Sequence, residues 1–204
     1  MPVVTIGENT ADDFAGAAGA QIYSASPTTN YGEVNYGYID ETTGYRYLLS
    51  FSGLSNISAP VTVSASSIYI YAHGTSNPSP DMNGRPLLVP FVQGETTWNI
   101  RSTGNNWTTA GAGSDGNDRR AVVSFTVDPG VLSSAYAVLG SAQLASDIED
   151  QIDGTLNNYG FVIDAISGHL QQQAYADGKR PYVSVNYTSG GGTTYNAPFL
   201  GMNF

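Results

Sequence analysis

Ser64-Ala65-Ser66-Ser67-Ile68-Tyr69-Ile70-Tyr71-Ala72 is the stretch on which the fold class turns. From Ser66 the period is two: Ile68 and Ile70 share one face, Tyr69 and Tyr71 the other. Only an extended strand gives that alternation, because neighbouring side chains on a pleated strand point to opposite faces. Ile and Tyr are also strand formers. The same signals recur on either side. Residues 46–51, Arg46-Tyr47-Leu48-Leu49-Ser50-Phe51, are rich in apolar side chains and read as a strand buried on both faces. Shorter strands are expected over 2–6, 21–24, 36–40, 87–92, 121–127, 159–166, 171–175 and 182–187. Turn-forming clusters separate them at 27–32, 41–44 and 73–85, and Ala176-Asp177-Gly178-Lys179 reads as a hairpin connection. Residues 95–118 are long, polar and Gly-rich, with Trp98 and Trp107 as their only large anchors.

One segment breaks the β pattern. In 141–154, Leu144, Ile148 and Ile152 recur every four residues, and Gly154 stands where a helix C-cap belongs. One short amphipathic helix is expected there, with its carboxylates forming a solvated face. The whole reads as an all-β, jelly-roll-type β-sandwich with one such helix. Its organisation reads as a lead-in arm over 1–19, the sandwich over 20–188, and a Gly-rich linker with an apolar tail over 189–204. Residues 8–19 suit either a short helix or a loop.

Composition narrows the function. The chain has 204 residues, a size that suits one all-β domain, and only 12% are charged. Its net charge is −10, which repels phosphate backbones and argues against nucleic-acid partners. No apolar run approaches membrane-spanning length. No Lys or Arg precedes Arg46, so the N-terminal stretch lacks the basic start and apolar core of a signal peptide. There is no cysteine, which removes disulfides and thiolate chemistry.

The order of segments resembles the DNRLRE-type domain, a carbohydrate-binding-module-like β-sandwich. Asn30-Tyr31-Gly32 is similar to that family's early N-x-G turn, and residues 46–51 to its R-x-L-L-x-F strand. Residues 64–71 resemble the following S-A-x-L-x-L-Y strand. Glu95-Thr96-Thr97-Trp98-Asn99 is similar to the E-x-T-W-N loop, with Trp107 where a second Trp is common. Residues 144–154 resemble the segment before Asn158-Tyr159-Gly160-Phe161, and residues 179–185 the closing P-x-L-x-V strand. Ser52-Gly53 stands where the family carries an Asp. The resemblance spans residues 20–188. It implies a jelly roll and a non-catalytic role, found on extracellular enzymes, surface proteins and phage structural proteins.

Candidate chemistry is thin. His73 and His169 are the only histidines, stand far apart in sequence, and read as surface residues. Adjacent carboxylates occur at Asp12-Asp13, Asp40-Glu41 and Glu149-Asp150, but neighbours on a strand face opposite ways. No catalytic residues and no required cofactor are expected. Asp115 and Asp118 lie in a turn rich in oxygen ligands, which suits either a calcium ion or a plain Asp-Gly turn. Trp98 and Trp107 suit either stacking on a glycan or anchoring the loop. Tyr31, Tyr36, Tyr38, Tyr45 and Tyr47 suit either an interface or ordinary strand positions.

The C-terminal tail carries Tyr195, Phe199, Leu200, Met202 and Phe204, unlike the polar composition of most disordered tails. Burying these side chains yields on the order of 10 kcal/mol gross, before ordering and association costs. The tail either folds back on its own domain or docks on a neighbouring subunit. Together these features set the leading expectation: a structural virion protein of a bacteriophage, either a capsid decoration (cement) subunit or a tail or fibre component. Its partners would be other virion proteins or copies of itself, a trimer among the options. The alternative is an extracellular or cell-surface carbohydrate-binding module with a glycan as partner.

Overall fold

The computed structural model describes residues 2–7, 14–32, 36–75, 81–173 and 179–190. Its N-terminal half forms β1 (Val3–Gly7), β2 (Phe14–Ala15), β3 (Ala17–Tyr23), β4 (Tyr36–Asp40), β5 (Tyr45–Phe51), a 3-10 turn (Ser52–Asn56), β6 (Val61–Thr75) and β7 (Met82–Pro86). There follow β8 (Ile100–Ser102), β9 (Asn105–Asn106), β10 (Phe125–Val127), β11 (Ser133–Gly140), the helix α1 (Ala142–Asp153), β12 (Phe161–Ala165), β13 (His169–Gln173) and β14 (Tyr182–Ser189).

The alternating stretch lies in β6, the spine of one layer. β14 pairs with β6 from Val61 to Tyr69 along one edge, and β11 pairs from Ser67 to Gly74 along the other. β1 pairs with β14, and β13 bridges the end of β6 to β4. The second layer runs β10-β7-β12-β5, with β3 on the far side of β5. Between the layers lie Ile68, Ile70, Val183, Val185, Ala137 and Leu139 from one side and Tyr47, Leu49, Phe51, Phe161, Ile163 and Phe125 from the other. The protein is an all-β sandwich of jelly-roll type with one amphipathic helix.

β5 is buried on both faces, as its sequence requires. Tyr47, Leu49 and Phe51 enter the main core, while Leu48 enters a second core with Ile22, Val162, Leu87, Trp107 and Ala112. Segment 87–124 forms that second core by covering the outer face of the β10-β7-β12-β5-β3 layer. Strand bounds shift elsewhere. Residues 82–85, read as loop, fall in β7, and Leu87 keeps only one bridge, to Arg119. β11 carries no obvious alternation in sequence and is an addition. Residues 3–7, read as part of a lead-in, form β1 inside the sheet.

The helix is capped as its sequence indicates. The Ser141 side chain accepts the Leu144 N–H, and Gly154 takes the left-handed conformation at φ 78°. Leu144 and Ile148 are fully buried and Ile152 packs against the same core. The acidic residues are only partly a solvated face: Asp153 is exposed and Asp150 half-exposed, but Asp147 is not. Asp147 is fully buried and accepts from Arg120 Nη1 (2.6 Å), Ser124 Oγ (2.6 Å) and Gln143 Nε2 (3.0 Å). Glu149 Oε2 accepts the Val63 N–H at 2.7 Å, and Asp153 Oδ1 accepts the Val61 N–H at 3.1 Å. The spacings match: four helical residues rise about 6 Å and two strand residues about 6.7 Å. Where β11 ends, helix carboxylates therefore close the edge of β6.

Candidate functional site

Three of the quoted motifs, at 30–32, 46–51 and 95–99 with Trp107, meet on the covered outer face, where they hold segment 87–124 in place. Asn30 Nδ2 donates to the carbonyls of Gln93 (2.9 Å) and Thr96 (2.6 Å). Its Oδ1 accepts the Gly32 N–H, and Gln93 Nε2 donates back to the Gly32 carbonyl at 2.8 Å. Glu95 Oε2 accepts the Thr103 N–H at 2.7 Å. Trp107 is buried and its indole donates to the Thr97 carbonyl at 3.1 Å. Trp98 lies half-buried, with the Arg46 guanidinium 5.1 Å from its ring centroid. Arg46 Nη1 also donates to the Gly111 carbonyl at 2.5 Å. Asn158 Nδ2 donates to the Phe51 carbonyl at 2.8 Å. Gly160, at φ 89°, lies so close to β5 that a Cβ would come within 2.2 Å of the Leu49 carbonyl oxygen.

Asp118, one of the two candidate calcium ligands, is buried. Its Oδ1 accepts the Thr108 N–H (2.8 Å), and its Oδ2 accepts those of Thr109 (2.9 Å) and Ser114 (3.1 Å). The half-exposed Asp115 accepts Arg119 Nε at 2.7 Å, and this bond holds its carboxyl below the usual carboxylate range. Both carboxylates thus have protein donors.

Sequence reading missed the hub beside them. Asp164 on β12 draws in Arg119 (3.4 Å), Arg85 (3.5 Å) and Arg46 (4.0 Å). β12 lies between β5 and β7, so outward residues of three adjacent strands meet Arg119 from the covering segment. Burial pushes the Arg46 pKa down, and Asp164 opposes that shift. Nothing in the local sequence around Asp164 marks it, because its partners lie on other strands.

Beside Trp107 the covering segment leaves an open hollow of about 430 Å³, lined by Thr28, Thr97, Asn99, Ile100, Asn106, Trp107 and Ala110. Its walls combine Thr and Asn side chains with the apolar Ile100 and Ala110. Trp107 reaches it only marginally, being 4% exposed.

The outer face of the β11-β6-β14 layer differs. Inward residues alternate there with Tyr69 and Tyr71 on β6, Tyr136 on β11 and Tyr182 on β14. Tyr69 and Tyr182 stack at 4.4 Å, and Tyr136 meets Tyr71 and Tyr182 edge-on at 5.2 and 5.4 Å. Lys179 Nζ donates to the Tyr71 hydroxyl at 2.9 Å and lies 4.3 Å from its ring; that bond lowers the Tyr71 pKa. Tyr69, Tyr136 and Tyr182 stay half-exposed, and Val138 is 47% exposed. The early Tyr group divides: Tyr47 is core, while Tyr45 stacks on Tyr23 at 3.9 Å and meets Tyr38 at 5.5 Å. Desolvation first, then the hydrogen bond with Tyr23, pushes the Tyr45 pKa up to about 12.

The other sequence candidates are scattered. His73 on β6 and His169 on β13 are exposed. Asp40 Oδ1 accepts the N–H groups of Thr42 and Thr43 in a turn. Among the described residues no three His, Cys, Asp or Glu side chains group as metal ligands, and no helix is long and apolar enough to cross a membrane. Tyr36's side chain, Asp12-Asp13, the 176–179 turn up to Gly178, and Tyr195, Phe199, Leu200, Met202 and Phe204 lie outside the described residues. No family model matches the chain, and no curated protein matches it.

Proposed function

We propose that the chain is a non-catalytic docking module, a bacteriophage virion component of the decoration or tail kind, which seats on neighbouring subunits. One observation carries this reading: the two outer faces of the sandwich are unequal. One is covered by segment 87–124 and clamped by the motif residues. The other presents the half-exposed tyrosines Tyr69, Tyr136 and Tyr182 with Val138. Tyrosine is enriched at interface cores, where its ring contributes area and its hydroxyl a hydrogen bond. The resemblance to DNRLRE-type domains and the net charge of −10 support a soluble structural subunit. The apolar tail, by its composition, supplies a second contact. The test is gradient purification of particles from a lysate expressing the chain. The chain should band with intact particles, and Tyr136→Ser with Tyr182→Ser should leave it in the soluble fraction. A chain that never bands with particles refutes the reading.

The hollow beside Trp107 favours a second reading, a glycan-binding module. On that reading Asn106→Ala, an exposed wall residue, abolishes binding on a glycan screen while the fold stays intact.

A further inference from the structure

We infer that the outer edge of β11 pairs antiparallel with the same edge of a second copy of this chain. β11 pairs with β6 along one side only, and no described strand pairs on its other side. Such an edge presents unpaired N–H and C=O groups, and proteins ordinarily blunt it with charge, Pro or a cover. The same layer shows that blunting nearby, where Glu149 and Asp153 close the adjoining edge of β6. β11 has none of it. No Asp, Glu, Lys or Arg occurs anywhere from residue 129 to 146, in a chain of net charge −10.

That uncharged stretch selects the occupant. Two copies of an acidic protein repel wherever their charged surfaces meet. No charged side chain of β11 opposes the approach of a second copy, and Val138 on it stands 47% exposed. Ala137 and Leu139 are fully buried beneath the strand and fix its position. Ser134, with φ 54°, ends the regular part, which leaves Ala135 to Gly140 as a continuous edge. An antiparallel strand pair is self-complementary under a two-fold axis, the commonest symmetry of homo-oligomers. Pairing there would continue the layer into the second copy and set Val138 near the axis. Contact between copies at this edge needs no particle.

The test is sedimentation equilibrium of the full chain, its Val138→Lys variant and a Val92→Lys control. Val92 is 46% exposed on the covering segment, so the control adds the same charge elsewhere. The full chain and the control should sediment at twice the 21.5 kDa chain mass. Val138→Lys sets like charges near the axis and should weaken the dimer about tenfold or more, with the far-ultraviolet circular dichroism of the full chain retained. Outward amides of residues 135–140 should exchange slowly in the dimer and fast in that variant. A full chain that stays monomeric overturns the pairing. So does a dimer that Val138→Lys leaves intact, which would place the contact elsewhere, the tail included. A monomeric chain that still bands with particles would sink the edge pairing and leave the docking role standing.

Discussion

Replacing Asp118 with Ala removes the acceptor that gathers the backbone of residues 108–114. Three amide donors, those of Thr108, Thr109 and Ser114, lose a charged partner at once. Hydrogen bonds to charged groups contribute about 1.5–3 kcal/mol each. Thr108 and Thr109 are exposed, so water recovers part of the loss for two of the three amides. The expected destabilisation is about 3–4 kcal/mol. Asp118→Asn keeps one acceptor oxygen and should lose about half as much. Urea unfolding provides the assay, with tryptophan fluorescence reporting the covering segment and far-ultraviolet circular dichroism the sandwich. With an m-value of about 2 kcal/mol/M, the midpoint should fall by about 1.5–2 M. Trp107 and Leu48 share one core, so both probes should move together. A loss under about 1 kcal/mol, or an unchanged midpoint, would refute the anchoring role of Asp118.

Three further outcomes follow from the same contacts. Glu149→Ala frees the Val63 N–H at the β6 edge and should cost about 1–2 kcal/mol in urea unfolding, with more aggregation during refolding. Gly160→Ala combines a positive φ with a Cβ only 2.2 Å from the Leu49 oxygen, and should lower stability by about 3 kcal/mol by the same assay. Tyr45 should resist ionisation until pH about 12 when absorbance is followed near the phenolate band. Its folded pKa is raised above the ordinary 10, so its contribution is complete below pH 10 and is lost as pH climbs toward 12. Tyr45→Phe should flatten that alkaline loss.

The elements that declared themselves in sequence have a strong local code. Ile68, Tyr69, Ile70 and Tyr71 alternate because β6 has a core face and an outer face. Ser141 and Gly154 bracket α1 because capping is a matter of a few neighbouring atoms. The double burial of β5 was legible from Leu48 and Leu49 standing side by side. What stayed hidden depends on distant partners. Asp147 looks like a surface carboxylate until Arg120 and Ser124 arrive from another segment. Asp164 gains its three arginines only through strand pairing. β11, built on Ser, Ala and Gly around Tyr136 and Val138, lacks the polar outer residues that make an alternation visible. The tryptophan question was open in sequence because an indole that anchors a loop and one that stacks on a sugar look alike. Trp107 lies under the loop with its N–H bound, and Trp98 meets Arg46.

The docking role rests on the tyrosine face, and tyrosine-directed footprinting of the chain, free and in purified particles, tests it most directly. Tyr69, Tyr136 and Tyr182 should be modified in the free chain and protected in the particle, while Tyr23 and Tyr38 keep their reactivity. Equal modification of Tyr69, Tyr136 and Tyr182 in both states would contradict docking through this face.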